Sequence, residues 1–320
     1  MTTTGTEELW QLALAKWAGI AHNFPDLAPA LTLQQAMLRL LLDAREGLDD
    51  SRAPLPDTTP PAILEKWARG VPAIRNEAVL IPAALVAVLP ALCDVLAQGG
   101  AGDSAAHIGQ ALASGEIDGG SLLRVSLARN RKAIRTSSLH HGFSPDLVWV
   151  IGELGSAPLA HYLQTRWLEV PELKAAIGKW DRGYCPCCGS WPALIESLAG
   201  LEPRTQNPEP GTFDCGLRCS YCAATWKLSS DRCVYCANGD DRFVVAAPDV
   251  DRPDRRIELC GACGGYTKVV TAEALTPFPL IAIEDLATMD LDEGAMARGY
   301  HRPDLFDLDT IEPPPTPNCG

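Results

Sequence analysis

Apolar residues recur at helical intervals along the first part of the chain, from Glu7 to about Trp180. For example, Leu33, Met37 and Leu40 hold the i, i+4 and i+7 positions of one helix face. Segments rich in Gly, Pro, Asp and Ser interrupt the pattern at 22–25, 52–61, 99–103, 115–120 and 141–145. The pattern predicts an all-α domain over residues 1–180 with about seven or eight helices.

After Trp180 the pattern changes to short segments that predict β-strands. The six segments are Trp191–Ser197, Gly211–Arg218, Ala223–Leu228, Arg242–Ala247, Arg255–Leu259 and Tyr266–Val270. Small β units of this kind bury too little apolar area to be stable alone. Bound metal must therefore supply much of their folding free energy, on the order of 10 kcal/mol per site.

Four Cys-x-x-Cys pairs provide the candidate metal chemistry. They are Cys185/Cys188, Cys219/Cys222, Cys233/Cys236 and Cys260/Cys263. Each pair brings two sulfurs to one point from a single tight turn, here called a knuckle, and a tetrahedral metal needs two knuckles facing each other. Eight thiolates therefore predict two four-sulfur sites. Gly189 and Gly264 follow two of the pairs, where the turn needs positive φ, and Gly239 lies a little farther behind Cys236.

The thiolate donors limit the metal to zinc or iron. Because four thiolates fill the tetrahedron and leave no open position, such sites are structural or one-electron redox centres and not hydrolytic ones. Sequential pairing of the knuckles is favoured, because the 30 residues between Cys188 and Cys219 and the 23 between Cys236 and Cys260 suffice for a strand pair. Nested pairing stays open. The other four cysteines are predicted to lie outside the metal ligands: Cys93, Cys187, Cys215 and Cys319.

Composition narrows the classes of partner and compartment. The 320-residue chain has a formal charge of -13 and a pI near 4.9, which argues against nucleic acid and anionic membranes as partners. Residues 1–10 lack a secretory signal pattern and the cysteine spacing suits a reducing compartment, so a cytoplasmic location is predicted. The apolar run Ala78–Cys93 is short and contains Pro82 and Pro90, which predicts a buried core helix and no membrane span.

Two clusters in the helical part have a functional and a plainer interpretation. The basic residues could grip an acidic partner, but a solvated helix face is favoured; they are Arg124, Arg129, Arg131, Lys132 and Arg135. His140-His141 could be metal ligands, but no Cys, Asp or Glu lies nearby at ligand spacing, so surface histidines are predicted.

Near the C-terminus, Ile283–Asp292 alternates acids with apolar residues. It is either a helix with an acidic exposed side or a docking surface for a partner. The Pro-rich tail Glu312–Pro315 is predicted to be disordered. The sequence contains no credible Ser/His/Asp arrangement, phosphate loop or dinucleotide fingerprint, which predicts a protein that is not an enzyme.

The chain resembles the FdhE-type accessory proteins of formate dehydrogenase. The segments that carry the resemblance are Cys185–Pro192, Leu217–Cys222 with Trp226, Cys233–Cys236, Cys260–Lys268 and Glu284–Asp292. The resemblance implies a helical domain followed by two rubredoxin-like modules, and iron rather than zinc as the favoured metal. It also implies binding to the catalytic subunit of respiratory formate dehydrogenase in the cytoplasm, where such proteins assist the enzyme's maturation.

These observations predict an α+β multidomain protein. Its parts are an all-α domain (1–180), a first four-cysteine module (181–230), a second module (231–276) and an acidic C-terminal segment with a Pro-rich tail (277–320). The predicted function is an accessory protein required for formate dehydrogenase activity, holding two metal ions through all eight knuckle cysteines. A rubredoxin-like electron carrier and a nucleic-acid-binding zinc ribbon are the alternatives, and the acidic charge counts against the second.

Overall fold

The computed structural model describes residues 5–51, 56, 59–75, 77–198, 215–228, 232–246 and 252–303. Two compact units make up the chain. The first combines Met1–Thr58 with Asn76–Leu163, and the second combines Thr59–Arg75 with Gln164–Gly320. The predicted boundaries at 180, 230 and 276 stay a prediction.

The first unit is helical. Its helices are α1 (Thr6–Asn23), α2 (Ala28–Ser51), α4 (Ala83–Leu96), α5 (Gly102–Ser114), α6 (Gly119–Leu127), α7 (Arg131–His140) and α8 (Pro145–Leu168), the last belonging to it up to Leu163. The central helix is α4, which packs against α2, α5 and α6. Its leucines at 85, 89 and 92 are fully buried, as expected for a core helix.

The apolar run in this unit is continuous enough to resemble a membrane helix. By length and composition, Ala83–Ser114 is the one candidate span among the described helices. However, positive φ angles at Gly100 and Gly102 break the run between α4 and α5. The buried face of α4 is that of a helix packed inside a protein core.

The second unit contains a six-stranded sheet. The strands are β1 (Leu194–Leu198), β2 (Cys215–Arg218), β3 (Thr225–Trp226), β4 (Phe243–Val245), β5 (Arg255–Cys260) and β6 (Tyr266–Ala272). Each overlaps one of the six predicted segments, although 211–214 and 247 lie outside the described residues. The order is β3-β2-β1-β6-β5-β4, and every pairing is antiparallel except β1 with β6.

The parallel pairing of β1 with β6 joins the two predicted modules in one sheet. Ile195 lies opposite Val269, and Glu196 lies opposite Val270. A second contact between the modules is made by Gly183, where a Cβ atom would lie 1.7 Å from the carbonyl oxygen of Val234. Only glycine permits this approach of two backbones. The two knuckle modules therefore share one framework.

Four helices also belong to the second unit. They are α3 (Pro60–Ala68), α9 (Pro171–Ala176), α10 (Ile281–Ala287) and α11 (Met289–Met296). Ile281 of α10 packs with Leu194 and Val270 of the sheet. The predicted fold class is confirmed, because a helical N-terminal region precedes a sheet region with two four-cysteine clusters. The helical pattern of the sequence placed the residues of α3 in the predicted all-α domain, whereas in the structure α3 belongs to the unit that contains the sheet.

A buried ion pair supports the middle of the sheet. Glu196 of β1 and Arg218 of β2 lie 2.9 Å apart, and both side chains are buried. Glu196 accepts hydrogen bonds from the backbone N–H of Thr276, while Arg218 donates to the carbonyl oxygen of Thr276. Since both charges are paired and hydrogen-bonded, they fix the position of the segment before α10 without leaving an uncompensated charge.

Candidate metal centres

All four knuckles have the same backbone turn. The residue after the second cysteine donates its N–H to the carbonyl of the first cysteine: Gly189 to Cys185, Ala223 to Cys219, Ala237 to Cys233 and Gly264 to Cys260, over 2.8 to 3.0 Å. The N–H of the first cysteine in turn donates to the carbonyl two residues past the second one, at Ser190, Ala224, Asn238 and Gly265. Two local hydrogen bonds therefore close each turn and aim both sulfurs to one side.

The residue after each second cysteine has the left-handed conformation. Its φ is 83° at Gly189, 72° at Gly264, 60° at Ala223 and 57° at Ala237. Glycine was predicted for this position in the first and last knuckles, and the structure agrees. In the third knuckle Ala237 takes the left-handed position, and Gly239 does not have positive φ. A non-glycine residue in this conformation costs about 1–2 kcal/mol.

The structure brings the eight knuckle cysteines together as two groups of four. Site I contains Cys185, Cys188, Cys219 and Cys222, and site II contains Cys233, Cys236, Cys260 and Cys263, with the sulfurs of each group within 4.8 Å of one another. The sequential pairing of knuckles, and not the nested one, is therefore the arrangement of the folded chain.

The sulfur spacing fits a tetrahedral metal. In site I, Cys185 Sγ and Cys222 Sγ lie 3.5 Å apart, and in site II the Sγ atoms of Cys233 and Cys263 lie 3.7 Å apart. A metal–sulfur distance of about 2.3 Å places the sulfurs of a tetrahedron about 3.8 Å apart. Either group could hold zinc or iron, and the assignment of all eight cysteines as ligands stays a prediction.

The electrostatics of site I also favour a bound cation. Burial raises the pKa of Cys185, Cys219 and Cys222 well above its ordinary value. Ionised thiols at this position would be costly unless a cation neutralised them. Metal binding must therefore displace protons from these thiols, which makes binding dependent on pH.

Site I is held from outside the knuckles by α3 and the loop after it. Trp67 donates its indole N–H to the carbonyl of Pro186 at 2.8 Å, and the N–H groups of Ala73 and Ile74 donate to the carbonyls of Pro186 and Cys187 at 2.8 and 2.9 Å. These contacts hold the loop between the two ligands of the first knuckle.

Hydroxyl groups complete the surroundings of the first knuckle. Tyr184 donates its hydroxyl to the carbonyl of Gly70 at 2.6 Å. Buried Ser190 lies with its Oγ 3.3 Å from Cys188 Sγ, where its hydroxyl can donate to a metal-bound thiolate. Sequence analysis did not identify α3 or Ser190 as parts of the site. The contact of Trp67 spans 119 residues, and no local pattern indicates it.

Site II lies at one side of the sheet and is more open. Cys233 and Cys260 are buried, whereas Cys236 is exposed and Cys263 is intermediate. The N–H groups of Tyr235 and Gly265 point at the sulfurs of Cys233 and Cys263, both at 3.4 Å. Donors of this kind stabilise thiolates.

The other described cysteines lie outside both groups, and their exclusion from the metal ligands stays a prediction. Cys93 is buried in α4, and burial together with Asp94 raises its pKa to about 11. Cys187 is buried beside site I, and Cys215 is half-buried in β2 opposite Ser197. Cys319 and the Pro-rich tail Glu312–Pro315 lie outside the described residues.

Three acids of the predicted acidic segment form ion pairs within the second unit. Lys268 Nζ lies 2.8 Å from Asp285 Oδ1 and 2.7 Å from Asp292 Oδ2. Arg302 pairs with the same two acids, at 2.7 and 3.1 Å. Arg255 makes a two-point contact with Asp290, at 2.8 and 2.5 Å. These acids therefore hold α10 and α11 against the sheet, which favours a structural role over an open docking surface.

The two clusters of the helical unit also have local partners. Arg129 is buried, stacks on Trp149 and pairs with Glu153 at 2.8 Å, while Arg131 pairs with Asp146 at 2.6 Å. The prediction of a solvated face is thus wrong for Arg129. The histidines of the pair at 140 and 141 are not among the groups that could hold a metal in the described part of the chain.

Comparison with known proteins gives one consistent group of relatives. No protein-family model matches the chain. Protein FdhE homolog of Aquifex aeolicus (strain VF5) is 26% identical over 166 residues, which are 52% of this chain and 53% of that protein. Protein FdhE homolog of Shewanella baltica (strain OS185) is 33% identical over 123 residues, or 38% of this chain and 36% of that protein. The chain thus aligns with about a third to a half of the length of these relatives.

A solved structure extends the likeness of fold to nearly the whole chain. The crystal structure of the FdhE protein from Pseudomonas aeruginosa matches 93% of this chain and 94% of its own, with a TM-score of 0.55 and 19% sequence identity. At that identity the match bears on the fold alone. A fold that combines a helical region with a sheet region, as in this chain, therefore occurs in a solved protein.

Proposed function

We propose that the protein is an accessory factor of formate dehydrogenase, because the comparisons support the FdhE family for this chain. In this proposal it binds the catalytic subunit of that enzyme in the cytoplasm and is required for its activity, without turning over formate itself. The observation that carries the proposal is the pair of four-cysteine groups on one sheet.

The chemistry of the groups supports binding over catalysis. Four thiolates complete the coordination of a tetrahedral ion, so neither group offers a position where substrate could reach the metal. A metal bound there would supply rigidity or a one-electron couple. All eight knuckle cysteines are the proposed ligands, and the family resemblance favours iron over zinc.

The test is a deletion strain complemented with variants of the full chain. The strain should make the dehydrogenase subunits but show little formate oxidation, and the wild-type chain should restore it. Cys219→Ser should fail to restore activity, because it removes one sulfur of site I. Cys215→Ser, which changes a cysteine of the same region outside both groups, is the matched control and should restore activity.

Anaerobic co-purification tests the partner directly. A tagged wild-type chain should co-purify with the catalytic subunit of formate dehydrogenase. The Cys215→Ser variant should co-purify with the same amount of that subunit. Full dehydrogenase activity in the deletion strain, or no association of the two proteins under anaerobic conditions, would refute the proposal.

A second candidate, an electron carrier, is favoured by the exposure of Cys236 in site II. An exposed ligand residue shortens the path for an electron between a bound iron and a partner. Metal analysis separates the candidates, since zinc has no one-electron couple and would exclude the carrier. If the metal is iron, reversible bleaching of its visible absorption by a physiological reductant would support the carrier.

A further inference from the structure

The two four-cysteine groups have the same internal geometry but different surroundings. The knuckle turns are alike, and the Sγ atoms of Cys188 and Cys219 in site I lie 3.5 Å apart, while those of Cys236 and Cys260 in site II lie 3.7 Å apart. All four sulfur-bearing residues of site I are at most 2% exposed. In site II, Cys236 is exposed and Cys263 is intermediate. If the two sites differ in how tightly they retain a metal, the difference must therefore come from the residues that surround the sulfurs.

Releasing a ligand of site I requires the surrounding structure to open. The loop between Cys185 and Cys188 is held through its carbonyls by Trp67, Ala73 and Ile74. On the other knuckle of the site, buried Tyr221 lies between the two ligands. A competing ligand in solution cannot contact a sulfur of site I until some of these contacts break.

The residues around site II are less buried. Ala237, which follows Cys236, is exposed, and so are Gly261 and Ala262 in the facing knuckle. The neighbouring strand β4 leaves Val244 49% exposed. Cys236 and the knuckle residues beside it are therefore exposed, in contrast to every ligand residue of site I.

We propose that site II is a ligand-exchange site for soft sulfur donors, at which an incoming thiolate displaces Cys236, whereas site I keeps its metal. In the exchange, the incoming thiol would lose its proton and take the coordination position of Cys236 Sγ, with no transfer of electrons. The freed Cys236 thiolate would take up a proton in turn, so that the number of bound protons is unchanged. The inference rests on the proposed metal sites of this protein.

The first experiment uses the wild-type full chain, loaded with two metal ions and mixed with excess dithiothreitol and a coloured chelator. One metal should leave about tenfold or more faster than the other, because the contacts that surround metal ligands contribute about 10–100-fold to metal affinity and site II has fewer buried ones. Release of both metals in a single phase would overturn this inference but not the proposed metal sites. A chain that binds fewer than two metals would refute the metal sites as well, so the two failures are distinguishable.

The second experiment identifies the site that opens. A short pulse of iodoacetamide, in excess over the dithiothreitol, should alkylate the Sγ of Cys236 during the fast phase as iodide leaves, and peptide mass spectrometry should find Cys236 alkylated first among the eight knuckle cysteines. Early alkylation of a site I cysteine would contradict the inference.

Two matched variants keep the assignment testable. Each alters the second cysteine of the first knuckle of its group. Cys236→Ser should abolish the fast phase and leave the slow phase, whereas Cys188→Ser should remove the slow phase. If Cys236→Ser instead lost the slow phase and kept the fast phase, the assignment of the fast phase to site II would be overturned, even if Cys188→Ser does not fold.

Discussion

Lys268 of β6 is completely buried, and its Nζ atom lies 2.7 Å from Asp292 Oδ2 of α11. The same ammonium donates to the backbone carbonyl of Asp285 and pairs with its carboxylate. A buried lysine is retained only when its charge is compensated, and here two carboxylates compensate it. These ion pairs attach α10 and α11 to β6, the strand that begins just after the last cysteine of site II.

Lys268→Met should therefore destabilise the second unit. Both acids would lose their buried partner, although Arg302 would still pair with them, so we expect a loss of about 3 kcal/mol, at the lower end for a broken buried pair. Urea unfolding at neutral pH measures the loss. Lys174→Met, which alters an exposed lysine of the same unit, should change the free energy by less than about 0.5 kcal/mol. Equal effects of both substitutions would contradict the role of Lys268.

The same ion pairs predict how stability depends on pH. Burial alone would raise the pKa of Asp285, but Arg302 and Lys268 outweigh it and hold the pKa below its ordinary value of 3.8. Asp285 therefore contributes its full stabilisation above that value and loses it only as the pH falls through the lowered pKa of the folded state. Asp285→Asn should cost the same at pH 7 as at pH 5, by about 1–2 kcal/mol because the side chain is 34% exposed. A cost that vanishes at pH 5 would show that Asp285 already takes up a proton there.

Ala237→Gly should stabilise the chain. Ala237 is exposed and has a φ of 57°, so glycine would relieve left-handed strain without removing a packed methyl group. The strain exceeds the entropy that glycine adds to the unfolded chain, and we expect a gain of about 0.5–1 kcal/mol. Ala262→Gly, at an exposed knuckle residue without positive φ, should lose about the same amount. Chemical denaturation of both variants checks the opposite signs.

Trp67→Phe should weaken site I and not site II. The substitution removes the indole N–H that donates to the carbonyl of Pro186, while the N–H of Ala73 still donates to that carbonyl, so we expect the loss of one hydrogen bond, about 1 kcal/mol. Metal release into a chelator should become faster for the slow phase only. Trp10→Phe, a tryptophan substitution in the helical unit, should leave both phases unchanged. Faster release of both metals in Trp67→Phe would argue against a local effect on site I.

Cys219→Ser should lose one metal ion per chain and unfold the strands around site I, because that site's binding energy is part of its folding energy. Cys215→Ser should keep both metals, since the sulfur of Cys215 belongs to neither group. Metal analysis of the two purified variants gives the answer. An equal loss of metal in both would exclude the assignment of these four-cysteine groups.

The sequence by itself determined the knuckles, their order and the strands between them. These features are local, because a Cys-x-x-Cys turn is closed by hydrogen bonds between residues that are four or five positions apart, such as Gly189 to Cys185. The left-handed conformation after the second cysteine was predictable where glycine marks it. At Ala223 and Ala237 it was not, since the turn imposes it on a residue that does not prefer it.

Only the tertiary structure decided which residues support the sites. Trp67 reaches Pro186 across 119 positions, β1 pairs in parallel with β6, and Asp285 and Asp292 meet Lys268 instead of solvent. A charge pattern predicts that an acid is on a helix but not which cation faces it. The same holds for burial, which differs between two groups of identical composition because it depends on the elements that the fold brings to each one.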